Sequence, residues 1–187
     1  MKGGATILSL CDFTGNFVKP WVEAGYEAML VDPQHAIDHE RDGMTCLART
    51  VEEAMPDIAR LVHGGNLAFV AGFPPCTDLA VSGAKHFQRK AEESEAMFQA
   101  RAAIVAEQCR TIGALSGVPY MVENPVSVLS SLWGKPDHLF DPLDFTGYEP
   151  GDNYHKRTCL WTGGGFVMPE LCPDETLGPA DDRIHKA

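Results

Sequence analysis

The sequence predicts an α/β fold, a mostly parallel sheet with helices on both faces. Two observations carry this. Short, nearly continuous apolar runs alternate with helix-favouring stretches over the first 124 residues. The runs end in Gly-, Asp- or Pro-containing turns, at the place where parallel sheets hold their ligands. At 187 residues, 44% apolar and 22% charged, the chain fits one ordinary globular domain spanning 1–187.

Each element has its own reason. "ATILSLC" (5–11) is a short buried strand stopped by the turn "DFTGN". "FVKPWVEAG" (17–25) is a short helix with Gly25 as its stop. "YEAMLVD" (26–32) is a second strand ending on a carboxylate. "MTCLARTVEEAMPDIARLVHGG" (44–65) reads as a helix interrupted near Pro56, and "NLAFVAG" (66–72) as a third strand. The stretch 89–117 has Met97, Ala100, Ile104, Cys109 and Ile112 at helical spacing. "PYMVEN" (119–124) is a fourth strand, and "KRTCLWTG" (156–163) a late one after a Pro-, Gly- and Asp-rich segment. The tail 170–187 has little periodicity and is expected to be loosely ordered.

The formal charge of −11 argues against a broad phosphate-binding surface, so any cations that grip an anion must be local. Six cysteines at 11, 46, 76, 109, 159 and 172 lie 13 or more residues apart, unlike a disulfide framework or zinc ribbon. Reduced thiols and no metal are expected. No apolar run is long enough to span a bilayer, and "MKGGATILSL" lacks the features of a signal peptide. The expected location is cytoplasmic, with no membrane partner.

The first strand, turn and helix have the layout of a nucleotide-type half-site. Gly15 can let the backbone approach a ligand, and Asp32, 17 residues on, can accept from both hydroxyls of a ribose. A plain turn glycine and a solvated strand end would look the same. Phe17 follows where GxGxxG would need glycine, which favours an adenosyl group without phosphates over a dinucleotide.

"FTG" (13–15), "GFPPC" (72–76) and "VEN" (122–124) occur in the order and approximate spacing of the cytosine carbon-5 DNA methyltransferases. The chain resembles a compact member of that family, similar to short versions from phage and mobile elements. Only roughly 25 residues follow "KRTCLWTG", too few for a target-recognition domain. The resemblance implies a Rossmann-like fold, S-adenosylmethionine as methyl donor, and DNA as substrate. It implies Cys76 as the nucleophile at cytosine carbon 6 and Glu123 as the acid at ring nitrogen 3. The donor would be held by Phe13, Gly15, Asp32, Gly72 and Pro74.

On the substrate side the same resemblance implies Pro75 and Asn124, with Lys156 and Arg157 in the place of a basic motif. Lys85 and Arg89 belong to the densest basic cluster, "AKHFQRKA" (84–91), and could grip a substrate phosphate or simply be solvated. Three alternatives stay open: carbon-5 modification of a free cytosine nucleotide, an altered sulfonium donor, or a non-catalytic binding protein on the same fold. For a duplex or single-stranded DNA substrate, a homodimer or partner protein is a further expected source of DNA contacts.

Overall fold

The computed structural model describes residues 4–93 and 97–181. Eight strands form one mixed sheet: β1 (Thr6–Leu10), β2 (Glu27–Val31), β3 (His39–Arg41), β4 (Met44–Leu47), β5 (Leu67–Gly72), β6 (Tyr120–Pro125), β7 (His138–Phe140) and β8 (Thr158–Gly163). Their order across the sheet is β3-β4-β2-β1-β5-β6-β8-β7. The central run from β4 to β6 is parallel, and β3, β8 and their neighbours pair antiparallel. The α/β class and the mostly parallel sheet are therefore as the sequence predicts.

The parallel strands are continuous apolar runs because both faces are covered. One face buries Leu8, Leu10, Val31 and Val70 beneath α2 (Met55–His63) and α4 (Phe98–Ser116). The other buries Ile7, Leu30, Phe69 and Met121 against α1 (Lys19–Glu23) and the aromatic side chains Phe140 and Phe166. No helix among the described residues is long and apolar enough to cross a membrane.

The helix expected over 44–65 is instead β4, a turn and the shorter α2. Its spacing of Met44, Leu47, Val51, Ala54 and Ile58 imitates a helical stripe, and all five are buried. What decides the outcome is Asp42-Gly43. Both residues have positive φ, +48° and +79°, and they close a two-residue hairpin between β3 and β4.

The expected helix over 89–117 forms α3 (Phe87–Glu93) and α4; Cys109 and Ile112 of the expected stripe are buried, but its N-terminal members are not. Met97 and Ile104 are 61% and 57% exposed, whereas Ala106, Cys109, Ile112 and Gly113 are buried. Small residues line this face because α4 lies close against the sheet. A Cβ at Gly113 would sit 2.5 Å from the Tyr120 ring, and one at Gly72 would sit 2.7 Å from the Cys109 Cβ. We expect Gly72→Ala to destabilise the protein by about 1–3 kcal/mol, a fall in Tm of roughly 3–10 °C in a thermal melt.

Part of the tail expected to be loose is tied down. Gly147 N–H donates to the Cys172 carbonyl, Cys172 N–H to the Asp144 carbonyl, and Asp181 N–H to the Asn153 carbonyl. Residues 182–187 lie outside the described residues.

Candidate active site

Numbering only the parallel strands in chain order, the sheet runs 3-2-1-4-5, so the order reverses between β1 and β5. Ligands of open α/β sheets bind at the carboxyl end of this switch point. The chain leaves β5 at Gly72, and Phe73 N–H still bonds to the Leu10 carbonyl of β1. Pro74 and Pro75 then fix φ and deny the loop further ladder bonds. Cys76 follows, exposed, and its carbonyl accepts from both Leu79 and Ala80 N–H. The loop is thereby turned back at the cysteine.

The end of β6 holds this loop in place. Asn124 is fully buried, and its Nδ2 donates to the Pro74 carbonyl at 3.1 Å. Beyond it, Val81 N–H bonds to the Val126 carbonyl and Val128 N–H to the Leu79 carbonyl. The segments following Cys76 and Glu123 are thus stitched together. Glu123 itself points a buried Oε1 that has no hydrogen-bond partner, although Lys156 Nζ is 3.5 Å from it. The separation is that of an ion pair, without the alignment of a hydrogen bond.

A cavity of about 720 Å³ opens here, lined by Cys76, Lys85, His86, Pro125, Lys156 and Arg157. The structure therefore brings four of the predicted residues to one space: Cys76, Lys85, Lys156 and Arg157. Arg157 is also bonded to Asp141 at 2.8 Å. Lys90 Nζ bonds to Asp78 at 2.6 Å, which ties α3 to the cysteine loop. Arg89 is exposed on α3 and does not line the cavity. Of the acids in "EESE" (92–95) that follow this basic cluster, the one at 95 lies outside the described residues.

On the other side of the Pro-Pro turn is a second cavity of about 260 Å³, lined by Cys11, Asp32, Gln34, Thr50, Val51 and Pro75 among others. Asp32 is 4% exposed, and its Oδ1 accepts from Gln34 N–H. Thr50 and Glu53 form a reciprocal capping pair, each side chain bonding the other's backbone N–H, which fixes the rim leading into α2. Cys11 at the floor has φ +57°. The hydrogen bond between Cys11 and Cys109, in which the Cys109 S–H donates, together with burial, pushes the Cys109 thiol well above its usual range.

Of the other residues expected at the donor, Gly15 forms the predicted turn with φ +71°, and its N–H donates to Asp12 Oδ1 at 2.8 Å. Its missing Cβ faces Leu30 and Met44 below the loop. Phe13 is half exposed, its ring 5.3 Å from that of His35. Gly72 is enclosed within β5 against α4, and Pro74 is buried with its carbonyl taken by Asn124. Neither lines the 260 Å³ cavity.

Asp12 is the residue that sequence reasoning missed. It is buried, accepts from Ser9 Oγ, Thr14 Oγ1 and Gly15 N–H, and so organises the whole first loop. The signal was present as Asp with Thr and Gly two and three positions on at a strand end, where a short acidic side chain can bond the following backbone. Arg41 Nη2 closes the loop from above by donating to the Phe13 and Thr14 carbonyls.

Chemically, the arrangement places an exposed thiol and the cations Lys85, Lys156 and Arg157 at one cavity. Glu123 does not itself line that cavity; its buried Oε1, without a hydrogen-bond partner, lies 3.5 Å from the Lys156 ammonium that does. Asp32, whose carboxylate accepts from the Gln34 N–H, lines the second cavity. No protein-family model matches the chain, and a search of curated proteins finds no match.

Proposed function

We propose that the chain is an S-adenosylmethionine-dependent methyltransferase of Rossmann-like fold that acts on carbon 5 of cytosine in DNA. One observation carries the reading most directly. Pro75 and Cys76 are consecutive, yet Pro75 lines the cavity containing Asp32 and Cys76 lines the cavity containing Lys85 and Lys156. A thiol at the boundary between two cavities suits group transfer from a molecule in one to a molecule in the other. The parallel order 3-2-1-4-5, with a nucleoside-suited carboxylate after its second strand, supports the same reading.

The donor fits on chemical grounds: Asp32 is buried beside open space and accepts hydrogen bonds, as ribose hydroxyls require. When bound, the donor supplies a methyl group on an electrophilic sulfonium. The chain's own residues do the rest. Cys76 as thiolate adds to carbon 6 of cytosine and forms an S–C bond. Glu123 supplies the proton taken up at ring nitrogen 3, which leaves carbon 5 nucleophilic. Carbon 5 takes up the methyl group and then loses its hydrogen as a proton to solvent. The S–C bond breaks, nitrogen 3 returns its proton, and Cys76 is free again. Asn124 keeps the loop in register throughout by its bond to Pro74.

A second reading keeps the chemistry and changes the substrate to a free cytosine nucleotide. It is favoured by the small number of cations at the larger cavity in a chain of charge −11. Lys85 and Lys156 suit one phosphate better than a polynucleotide backbone. The test is release of tritium from carbon-5-labelled cytosine, offered as duplex, single strand and mononucleotide with the donor present. Release from an oligonucleotide with a +14 Da product is expected, and release from the mononucleotide alone selects the second reading. Absence of release from all three, with no covalent capture of 5-fluorocytosine, would overturn both.

A further inference from the structure

His35, His39 and Cys46 converge outside the two cavities described above. One donor atom from each lies within 4.8 Å of the others. The convergence is built by the hairpin: His39 on β3 is the direct cross-strand partner of Cys46 on β4. His35 reaches the same point from the turn after β2, where its N–H bonds to the Asp32 carbonyl.

We infer that these three side chains form a binding site for a zinc ion. Two independent features support a ligand here. His35 is 5% exposed, and its Nε2 is buried with no hydrogen-bond partner. An unpaired buried ring nitrogen is costly unless something occupies its lone pair. His39 Nδ1 lies 2.9 Å from the Ile37 carbonyl, so Nδ1–H donates there and leaves Nε2 as the free ligand atom. A backbone carbonyl that fixes the tautomer in this way is the usual support of a ligating histidine.

The distances fit. An ion centred in a triangle with sides up to 4.8 Å lies at most about 2.8 Å from each donor. Closing to zinc bonds of roughly 2.0–2.3 Å requires side-chain shifts of at most about 0.5–0.8 Å. Two imidazoles and one thiolate suit zinc, and leave one tetrahedral position for water. The surrounding charge also fits. Asp12, Asp32 and Glu40 lie close enough to act on these groups, against the single cation Arg41. That cation is already engaged by the Phe13 and Thr14 carbonyls. Binding releases the Cys46 thiol proton to solvent.

The ion would tie the turn after β2 to the β3–β4 hairpin, beneath the Phe13 ring. This inference does not depend on the proposed reaction, since its test reads metal binding directly. Chelator-stripped protein is titrated with Zn²⁺ by calorimetry and with Co²⁺ by absorbance. The expected result is one equivalent bound, a sulfur-to-cobalt charge-transfer band, and a Tm raised by roughly 5–10 °C at 100-fold excess over Kd. Cys46→Ser should lose the band, and His39→Ala should bind at least about 10-fold more weakly with its circular dichroism unchanged. Cys76→Ser should bind as the wild type does. Failure of the folded wild type to bind one equivalent overturns the site. So does an unchanged band and affinity in His39→Ala, a variant that leaves the core intact even if Cys46→Ser does not fold.

Discussion

Cys76→Ser is expected to lower methyl transfer to cytosine by at least ~10³-fold while leaving Tm within about 2 °C of the wild type. The two halves of this expectation come from the same fact, that the side chain is exposed at the cavity rather than packed in the core. Little packing is lost, so stability holds. The chemistry fails because a serine hydroxyl stays protonated near neutral pH and is a much weaker nucleophile toward carbon 6. Tritium release from a carbon-5-labelled oligonucleotide measures the rate, and mass spectrometry of a 5-fluorocytosine adduct measures the covalent step. Undiminished tritium release by purified Cys76→Ser would end the covalent mechanism.

Glu123→Gln should reduce kcat by about 10²–10⁴-fold, with KM for the oligonucleotide changed less than about threefold. Glutamine keeps the shape and a hydrogen-bonding oxygen but has no proton to give to ring nitrogen 3. The structure makes the carboxylate's situation specific. Its Oε1 is buried without a hydrogen-bond partner, and the Lys156 ammonium stands 3.5 Å away and partly solvated. A pair with one member so exposed adds little to stability, about 0–1 kcal/mol, so a loss of activity would not reflect unfolding. Steady-state kinetics over substrate concentration, with a thermal melt alongside, separates the two. A rise in KM at constant kcat would assign Glu123 to binding alone.

Much of this architecture is readable in the chain, for physical reasons that also explain the failures. β1, β2, β5, β6 and β8 are legible because strands buried on both faces leave short apolar runs between turn residues. The β3–β4 hairpin was hidden by its neighbours: "MTCLART" (44–50) is followed by apolar residues that continue at helical intervals. Asp42-Gly43 outweighs that pattern, because two consecutive positive φ angles turn the chain back on itself. In α4 the stripe holds at Cys109 and Ile112 but misleads at Met97 and Ile104, since close approach to the sheet also selects small residues, Ala106 and Gly113, for the buried face.

Cys76 and Glu123 could be found because each stands near the end of a recognisable strand. The Asn124–Pro74 bond could not, because it joins residues 50 apart. The cluster of His35, His39 and Cys46 was invisible for a related reason. Its members meet only once the hairpin sets His39 opposite Cys46, and a helix over 44–65 would have carried Cys46 elsewhere.

The long reach of Asn124 also orders events during synthesis. The Pro-Pro loop emerges from the ribosome well before its anchor, with α3, α4 and the crossover still to follow. Until β6 docks beside β5, nothing at position 124 holds the Pro74 carbonyl. Such non-local pairing is slow relative to helix formation. The Cys76 loop is therefore expected to take its final shape late, once β6 has joined the sheet.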